Sequence, residues 1–169
     1  MLLKKNYETQ HLEEVARLYP NVGRAQLTAT VFAFGLFEAL VDSGLPFCFK
    51  GGTSLLLLLH KPRRVSTDID IVVPEKTDFD IYFSRVKDRF PFYRGEERGE
   101  NVNPSFRHFY FFVEEGLSPQ GIAINLDVAF ESDPFLQTVE GKSLYPFCLP
   151  EAFRLSCPCL PYHVFSEIS

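Results

Sequence analysis

The stretch FKGGTSLLLLLHKPRRVSTDIDIVV, which spans residues 49–73, decides the fold expected for this chain. Its glycine pair follows a short apolar strand and precedes a leucine-rich segment, which is typical of a tight turn from a strand into a helix. Asp68 and Asp70 then alternate with isoleucines in a second strand. Because successive side chains of a strand point to opposite faces, we expect both carboxylates on one face and both Ile69 and Ile71 in the core.

The glycine pair, Gly51-Gly52, favours a turn that binds phosphate. Backbone N–H groups at the start of the following helix attract anions, and the hydroxyls of Thr53 and Ser54 are expected to donate as well or to cap that helix. An ordinary glycine turn with a hydroxyl cap gives the same pattern, and the chain has no GxxxxGK[ST] loop. The turn alone leaves both interpretations open.

The carboxylates indicate a cation site. Asp68 and Asp70 repel each other, so the pair needs a cation, a shared proton or an arginine. Mg²⁺ is the expected occupant because it also binds phosphate oxygens, although an isolated pair of this kind can be merely solvated or capping. A third acid, Asp127 in INLDVAFE, shares a strand face with Asn125 and Ala129. If its strand neighbours that of Asp70, three carboxylates converge, as in two-metal phosphoryl transfer.

The apolar patterns elsewhere predict an α/β (α+β) fold, with a small mixed β-sheet flanked by helices. Helices are expected over 8–19, 24–42, 53–60 and 77–90, and strands over 47–49, 68–73, 106–114 and 122–130. The charged segment 94–104 is expected to be an exposed loop. We divide a single domain into an N-terminal helical segment (1–45), a core (46–131) and an irregular tail rich in Pro and Cys (132–169).

Composition predicts a soluble cytoplasmic protein that does not enter a membrane. The 169 residues are 46% hydrophobic and 23% charged, and the N-terminus lacks the apolar region of a signal peptide. The run Leu55 to Leu59 is too short to span a bilayer. The four cysteines have no metal-site spacing and are expected to be reduced thiols. The net charge of -5 argues against a broadly basic surface, but a local patch can still bind nucleic acid.

The order of these motifs resembles a known superfamily. KGGTSL, then RRVSTDIDI, then a distal LDV is similar to the DNA polymerase β-like nucleotidyltransferases. Within that superfamily, the motifs look most like the AbiEii/AbiGii toxins of bacterial toxin–antitoxin and abortive-infection systems. The resemblance covers about Leu45 to Phe130 and implies a nucleotidyltransferase-type sheet.

The resemblance also implies a reaction and its participants. It implies Mg²⁺-dependent transfer of a nucleoside monophosphate from an NTP to an acceptor hydroxyl, with tRNA or another RNA as acceptor and a cognate antitoxin as protein partner. Asp68, Asp70 and Asp127 would be the catalytic and metal-binding acids. The residues implied in phosphate binding or supporting contacts are Lys50, Gly51, Gly52, Thr53, Ser54, Arg64 and Ser66. The histidines, His108 among them, have no catalytic context in the sequence and are expected to be structural.

The resemblance is expected to end before the tail. The related toxins continue into a helical C-terminal half, and no segment after Phe130 resembles it before the sequence ends at Ser169. Two alternatives to an active toxin therefore stay open. One is a catalytically inactive domain that binds a nucleotide or a partner protein, as an antitoxin-like or regulatory subunit. The other is a small-molecule nucleotidyltransferase of the aminoglycoside-modifying kind.

Overall fold

The described part of the chain opens with helices, then alternates between strands and helices, and ends with four consecutive strands. The computed structural model describes residues 2, 4–58, 65–99, 105–117, 121–131 and 163–164. A short 3-10 helix, Lys4–Tyr7, precedes helices α1 to α4, which are Thr9–Leu18, Arg24–Ser43, Gly51–Leu58 and Asp80–Lys87. Strands β1 to β6 are Cys48–Lys50, Ile69–Pro74, Phe92–Glu97, Phe106–Val113, Ala123–Glu131 and His163–Val164.

The strands form one mixed sheet in the order β3-β4-β5-β2-β1-β6. β2 runs parallel to β5 and β1 runs parallel to β6, whereas β1–β2, β3–β4 and β4–β5 are antiparallel pairs. The two strands that carry the aspartates, β2 and β5, are therefore direct neighbours in the middle of the sheet. The expected mixed sheet flanked by helices is confirmed.

One face of the sheet packs against α2 and α4 and forms the hydrophobic core. Ile69 and Ile71 of β2 lie in this core with no exposed surface, and Leu126 and Val128 of β5 join them. α2 lies deep in the same core, since every residue from 30 to 40 is buried. The strand alternation predicted for β2 and β5 is confirmed, and it directs the aspartates to the opposite face of the sheet.

Helix α2 is long and apolar enough to cross a membrane by length and composition. Most of it is nevertheless buried against the sheet and the neighbouring helices. A core helix passes the same test of length and composition, so α2 is not convincing as a membrane span. The cytoplasmic location expected from the sequence stays a prediction.

The segment 94–104 departs from the expected loop. Its first part belongs to β3, which pairs antiparallel with β4, and residues 100–104 lie outside the described residues. The prediction was wrong because β3 is an edge strand with charged residues on both faces, so it shows no alternation of apolar and polar positions. The glycine at position 95 is explained by packing, because a Cβ there would meet the ring of Phe111.

Two helix starts also differ from the sequence prediction. α3 begins at Gly51 rather than after a cap at Thr53 or Ser54, and α4 begins at Asp80 rather than near Thr77. The Thr77 hydroxyl donates to the Pro74 carbonyl at 2.8 Å, which stabilises the turn after β2 instead of a helix start. Asp78, the other cap candidate in this segment, accepts a hydrogen bond of 3.1 Å from the Asp80 N–H at the start of α4.

The three-segment division stays a prediction, although described parts of its first two segments share one core. Arg89 of the predicted central segment forms ion pairs with Glu38 and Asp42 on α2. In the predicted tail, the described residues are His163–Val164, which pair in parallel with β1. The irregular tail over 132–169 therefore stays a prediction, with this short pairing as the part of it that the structure describes.

Candidate active site

The turn between β1 and α3 is shaped around an aspartate. Gly51 has a φ of 74°, a left-handed conformation that favours glycine. A Cβ at this position would overlap the carboxylate of Asp70 on the adjacent strand. Glycine is therefore required twice, for the backbone conformation and for the close approach of the turn to the acid.

The hydroxyls that follow the glycine pair are turned into the protein. Thr53 Oγ1 donates to the backbone carbonyl of Asp68 at 2.5 Å, and Ser54 Oγ donates to the carbonyl of Gly51 at 2.7 Å. Both side chains are buried. Thr53 therefore ties α3 to the start of β2, and the anion-binding groups that this turn offers are its backbone N–H groups.

The three aspartates lie on the sheet face away from the core. In the parallel pairing of β2 with β5, Asp70 is the register partner of Asp127. Asp68 lies two residues before Asp70 and therefore on the same side of the chain. Asp70 and Asp127, which are 57 positions apart in sequence, thus lie side by side on two central strands.

Asp70 is partly buried and lies close to two other carboxylates. Burial raises the pKa of its carboxyl, and the negative charges of Asp127 and Asp68 raise it further, whereas Lys50 acts in the opposite direction. Lys50 is the register partner of Asp70 on β1, which accounts for its influence. A carboxylate crowded by two others is a group that a bound cation would stabilise.

Two side chains that the sequence analysis did not select contact the outer acids. Asn125 Nδ2 donates to Asp68 Oδ1 at 3.1 Å, and His108 Nδ1 lies 2.7 Å from Asp127 Oδ1. With Asp127 ionised and able only to accept, the His108 nitrogen is the donor. His108 was expected to be structural, but it is the register partner of Asp127 across β4 and β5.

The donor chemistry of this site fits a hard divalent ion. Within the described part of the chain, no three His, Cys, Asp or Glu side chains are already arranged as a metal centre. Mg²⁺ does not need such a cage, because it is usually held by one or two carboxylates together with water and substrate phosphates. Asp70 together with Asp68 or Asp127 supplies two such carboxylates.

The other predicted residues are partly placed by the structure. Lys50 is half-buried beside Asp70, and Gly52 lies in the first turn of α3. Ser66 lies against α2, where its backbone carbonyl accepts a hydrogen bond of 3.1 Å from Thr30 Oγ1. Arg64 lies outside the described residues.

The chain is similar in sequence to a described protein family. A family model described as the nucleotidyl transferase AbiEii toxin, of a type IV toxin–antitoxin system, matches residues 36–162. This interval contains every residue selected above and continues past Phe130, where the resemblance was expected to end. None of the curated proteins matches the chain.

Two solved structures from Helicobacter pylori are similar in fold. JHP933 is 18% identical, and the match covers 65% of this chain and 48% of that protein with a TM-score of 0.48. A candidate nucleotidyltransferase from H. pylori is also 18% identical, with 68% of this chain and 51% of that protein covered and a TM-score of 0.50. The chain therefore spans about half the length of these two proteins.

Proposed function

Because the chain belongs to the AbiEii nucleotidyl transferase toxin family, we propose that it transfers a nucleoside monophosphate from an NTP to an acceptor hydroxyl. The observation that carries the proposal is the register of the sheet, which sets Asp70 beside Asp127 and presses the Gly51 turn against the Asp70 carboxylate. A phosphate-binding turn and paired acids are thus parts of one site.

Divalent metals are generally used by nucleotidyltransferases, and we assign Mg²⁺ to this site. Asp68, Asp70 and Asp127 would hold it, and the excess negative charge around Asp70 is the feature that favours its binding. When bound, a divalent ion neutralises phosphate charge and polarises the reacting phosphoryl group.

The protein's own groups then have separate roles. The backbone N–H groups at the start of α3 bind the phosphates, and Lys50 adds a positive charge beside them. The acceptor oxygen forms a bond to the α-phosphorus as the bond to the β-phosphate oxygen breaks, so pyrophosphate leaves. Asp127 takes the proton of the acceptor hydroxyl, and His108 holds the carboxylate of Asp127 in place through its hydrogen bond.

The acceptor that we propose is RNA, in particular tRNA, and the proposed biological role is that of a toxin with a cognate antitoxin. The toxin role is supported by the description of the family, that of a toxin in a type IV toxin–antitoxin system. The RNA acceptor rests on the resemblance of the motifs to those of such toxins. Transfer of a nucleoside monophosphate to RNA takes the transferred group from the NTP itself. We propose the cytoplasm as its location, because RNA and NTP are both available there.

The proposed reaction is tested with each α-³²P-labelled NTP, Mg²⁺ and total tRNA. We expect one or more nucleotides to be transferred to RNA by the wild-type chain and not by Asp68→Asn. Label on the protein itself, or on a small molecule such as an aminoglycoside, would show that the acceptor is that molecule and not RNA. Nucleotide binding without transfer under any condition would instead support the inactive binding domain.

A variant of His108 tests its positioning role. We expect His108→Leu to reduce the transfer rate by about 10- to 100-fold, as is typical when a hydrogen-bond partner of a metal ligand is removed. The melting temperature should change little, since 45% of the His108 side chain is exposed. Steady-state kinetics at several Mg²⁺ concentrations measure both effects.

Two control variants separate positioning from general damage. His108→Gln keeps a donor and should recover part of the rate, whereas His11→Leu changes a histidine on α1, away from the sheet, and should have full activity. Equal losses in His108→Leu and His108→Gln would contradict the positioning role.

A further inference from the structure

The face of the sheet that carries the acids continues into a row of aromatic and arginine side chains. On β4, Tyr110 and Phe112 follow His108 at alternate positions and are partly exposed, while Phe109 and Phe111 between them enter the core. The row therefore starts at the residue that contacts Asp127 and runs away from it along the same face.

Two arginines from the edge of the sheet lie over these rings. The guanidinium of Arg94, on β3, is 4.0 Å from the ring centroid of Phe112, and that of Arg98 is 5.7 Å from the centroid of Tyr110. We refer to these four residues, Arg94, Arg98, Tyr110 and Phe112, as the aromatic–arginine row. Glu96 lies on the same strand and forms an ion pair of 3.2 Å with Arg94, so the positive charge of the row is centred on Arg98.

Such a row has the chemistry of a site for single-stranded nucleic acid. Unpaired bases stack on aromatic rings and on guanidinium planes, and arginine also binds phosphates. Neither a metal ion nor the phosphates of an NTP need planar apolar surfaces of this kind, and the single base of an NTP cannot occupy two stacking positions about 7 Å apart. Alternate residues of a strand are about 7 Å apart, so Tyr110 and Phe112 lie about 7 and 14 Å along β4 from His108.

We propose that the aromatic–arginine row binds the single-stranded end of an acceptor RNA, with its last bases stacked on the guanidinium planes of Arg94 and Arg98, which Phe112 and Tyr110 support from below. The terminal hydroxyl then lies at Asp127, because the row is continuous with that acid through His108. The inference depends on the proposed transfer for its biological meaning, but the binding surface can be tested without it.

The test measures binding of a fluorescein-labelled 12-nucleotide single-stranded RNA by the full chain, in the absence of NTP and Mg²⁺. We expect Tyr110→Leu and Phe112→Leu each to weaken binding by about tenfold, within the range measured for base–aromatic stacking. Arg98→Gln should weaken it and reduce its salt dependence. A blunt duplex of the same sequence should bind more weakly than the single strand.

Matched controls lie on the opposite face of the sheet. Tyr82→Leu changes a partly buried tyrosine on α4, and Arg24→Gln changes an exposed arginine at the start of α2. Both should bind RNA as the wild type does. Equal loss in the controls, or unchanged RNA affinity in both Tyr110→Leu and Phe112→Leu, would overturn the proposal, as would preferential binding of the duplex.

A second measurement covers the case in which a variant does not fold. RNA containing 5-iodouridine is irradiated with the wild-type protein, and the cross-linked peptide is identified by mass spectrometry. We expect the cross-link on the β4 peptide that carries Tyr110, and a cross-link confined to helices α1, α2 or α4 would overturn the proposal.

The outcomes also separate this surface from the proposed reaction. RNA binding that depends on the row, with no nucleotidyl transfer in any assay, would leave the surface in place and refute the reaction. Transfer to RNA with an unchanged KM for RNA in both Tyr110→Leu and Phe112→Leu would leave the reaction in place and refute the surface.

Discussion

Asp70→Asn is expected to abolish nucleotidyl transfer while leaving the metal-free protein at least as stable as the wild type. Activity should fall by more than about 100-fold if Asp70 holds the metal as proposed, since loss of a metal ligand exceeds the effect of losing one of its hydrogen-bond partners. Stability should not fall, because burial and the charges of Asp127 and Asp68 disfavour the ionised Asp70 carboxylate in the folded state. Removal of that charge relieves the repulsion.

The pH dependence of stability provides a second measurement of the same variant. The pKa of Asp70 is higher in the folded than in the unfolded chain, so its ionisation destabilises the fold at neutral pH. This penalty is lost as pH falls from the raised pKa through the ordinary range of an aspartate. As pH falls through this acidic range, the difference in the free energy of unfolding between Asp70→Asn and the metal-free wild type should therefore shrink. Urea unfolding at several pH values measures it.

Asp88→Asn is the matched control, because Asp88 is exposed at the end of α4. It should keep both the activity and the pH profile of the wild type. A strongly destabilised Asp70→Asn, or one that retains transfer, would contradict the assignment of Asp70 to a site of crowded carboxylates.

Gly51→Ala is expected to destabilise the fold and to inactivate the protein. A left-handed alanine costs about 1 kcal/mol, and overlap of its Cβ with the Asp70 carboxylate adds to that cost. A total of about 2–4 kcal/mol is reasonable for combined backbone and packing strain. Chemical denaturation measures the loss of stability, and the transfer assay measures the loss of activity.

Gly121→Ala separates the two contributions to the cost. Gly121 has a φ of 62°, similar to that of Gly51, but an added Cβ would meet no atom within 4 Å. Only the backbone cost of about 1 kcal/mol should be measured, with activity retained. Equal destabilisation by the two alanines would show that the Asp70 contact contributes nothing.

The sequence predicted the central elements because their signals are local. Alternation of Asp68 and Asp70 with Ile69 and Ile71 fixed the buried face of β2, and the glycine pair marked the turn into α3. The alternation along β5 likewise placed Asp127 on the outer face. Each of these patterns depends on residues within a few positions of one another.

The features that the sequence did not predict depend on pairing between strands. His108 contacts Asp127 because of the register of β4 against β5, and a single sequence gives no information on that register. The strand β3 was missed because its charged residues hide the alternation of apolar and polar positions. It is a strand because it pairs with β4, and that pairing cannot be read from its own sequence. Thr53 and Ser54 were expected to donate to a phosphate or to cap α3, and nothing in the sequence indicated that their hydroxyls donate to the carbonyls of Asp68 and Gly51.

The parallel pairing of β2 with β5 has a consequence for the time at which activity arises. During synthesis Asp68 and Asp70 leave the ribosome well before Asp127, and β5 joins β2 only after the β3–β4 hairpin has been made. Such non-local pairing forms late in folding, because the loop between the strands must close first. A nascent or partly unfolded chain therefore has only part of the site, and we expect the proposed transfer activity to arise only when the sheet is complete.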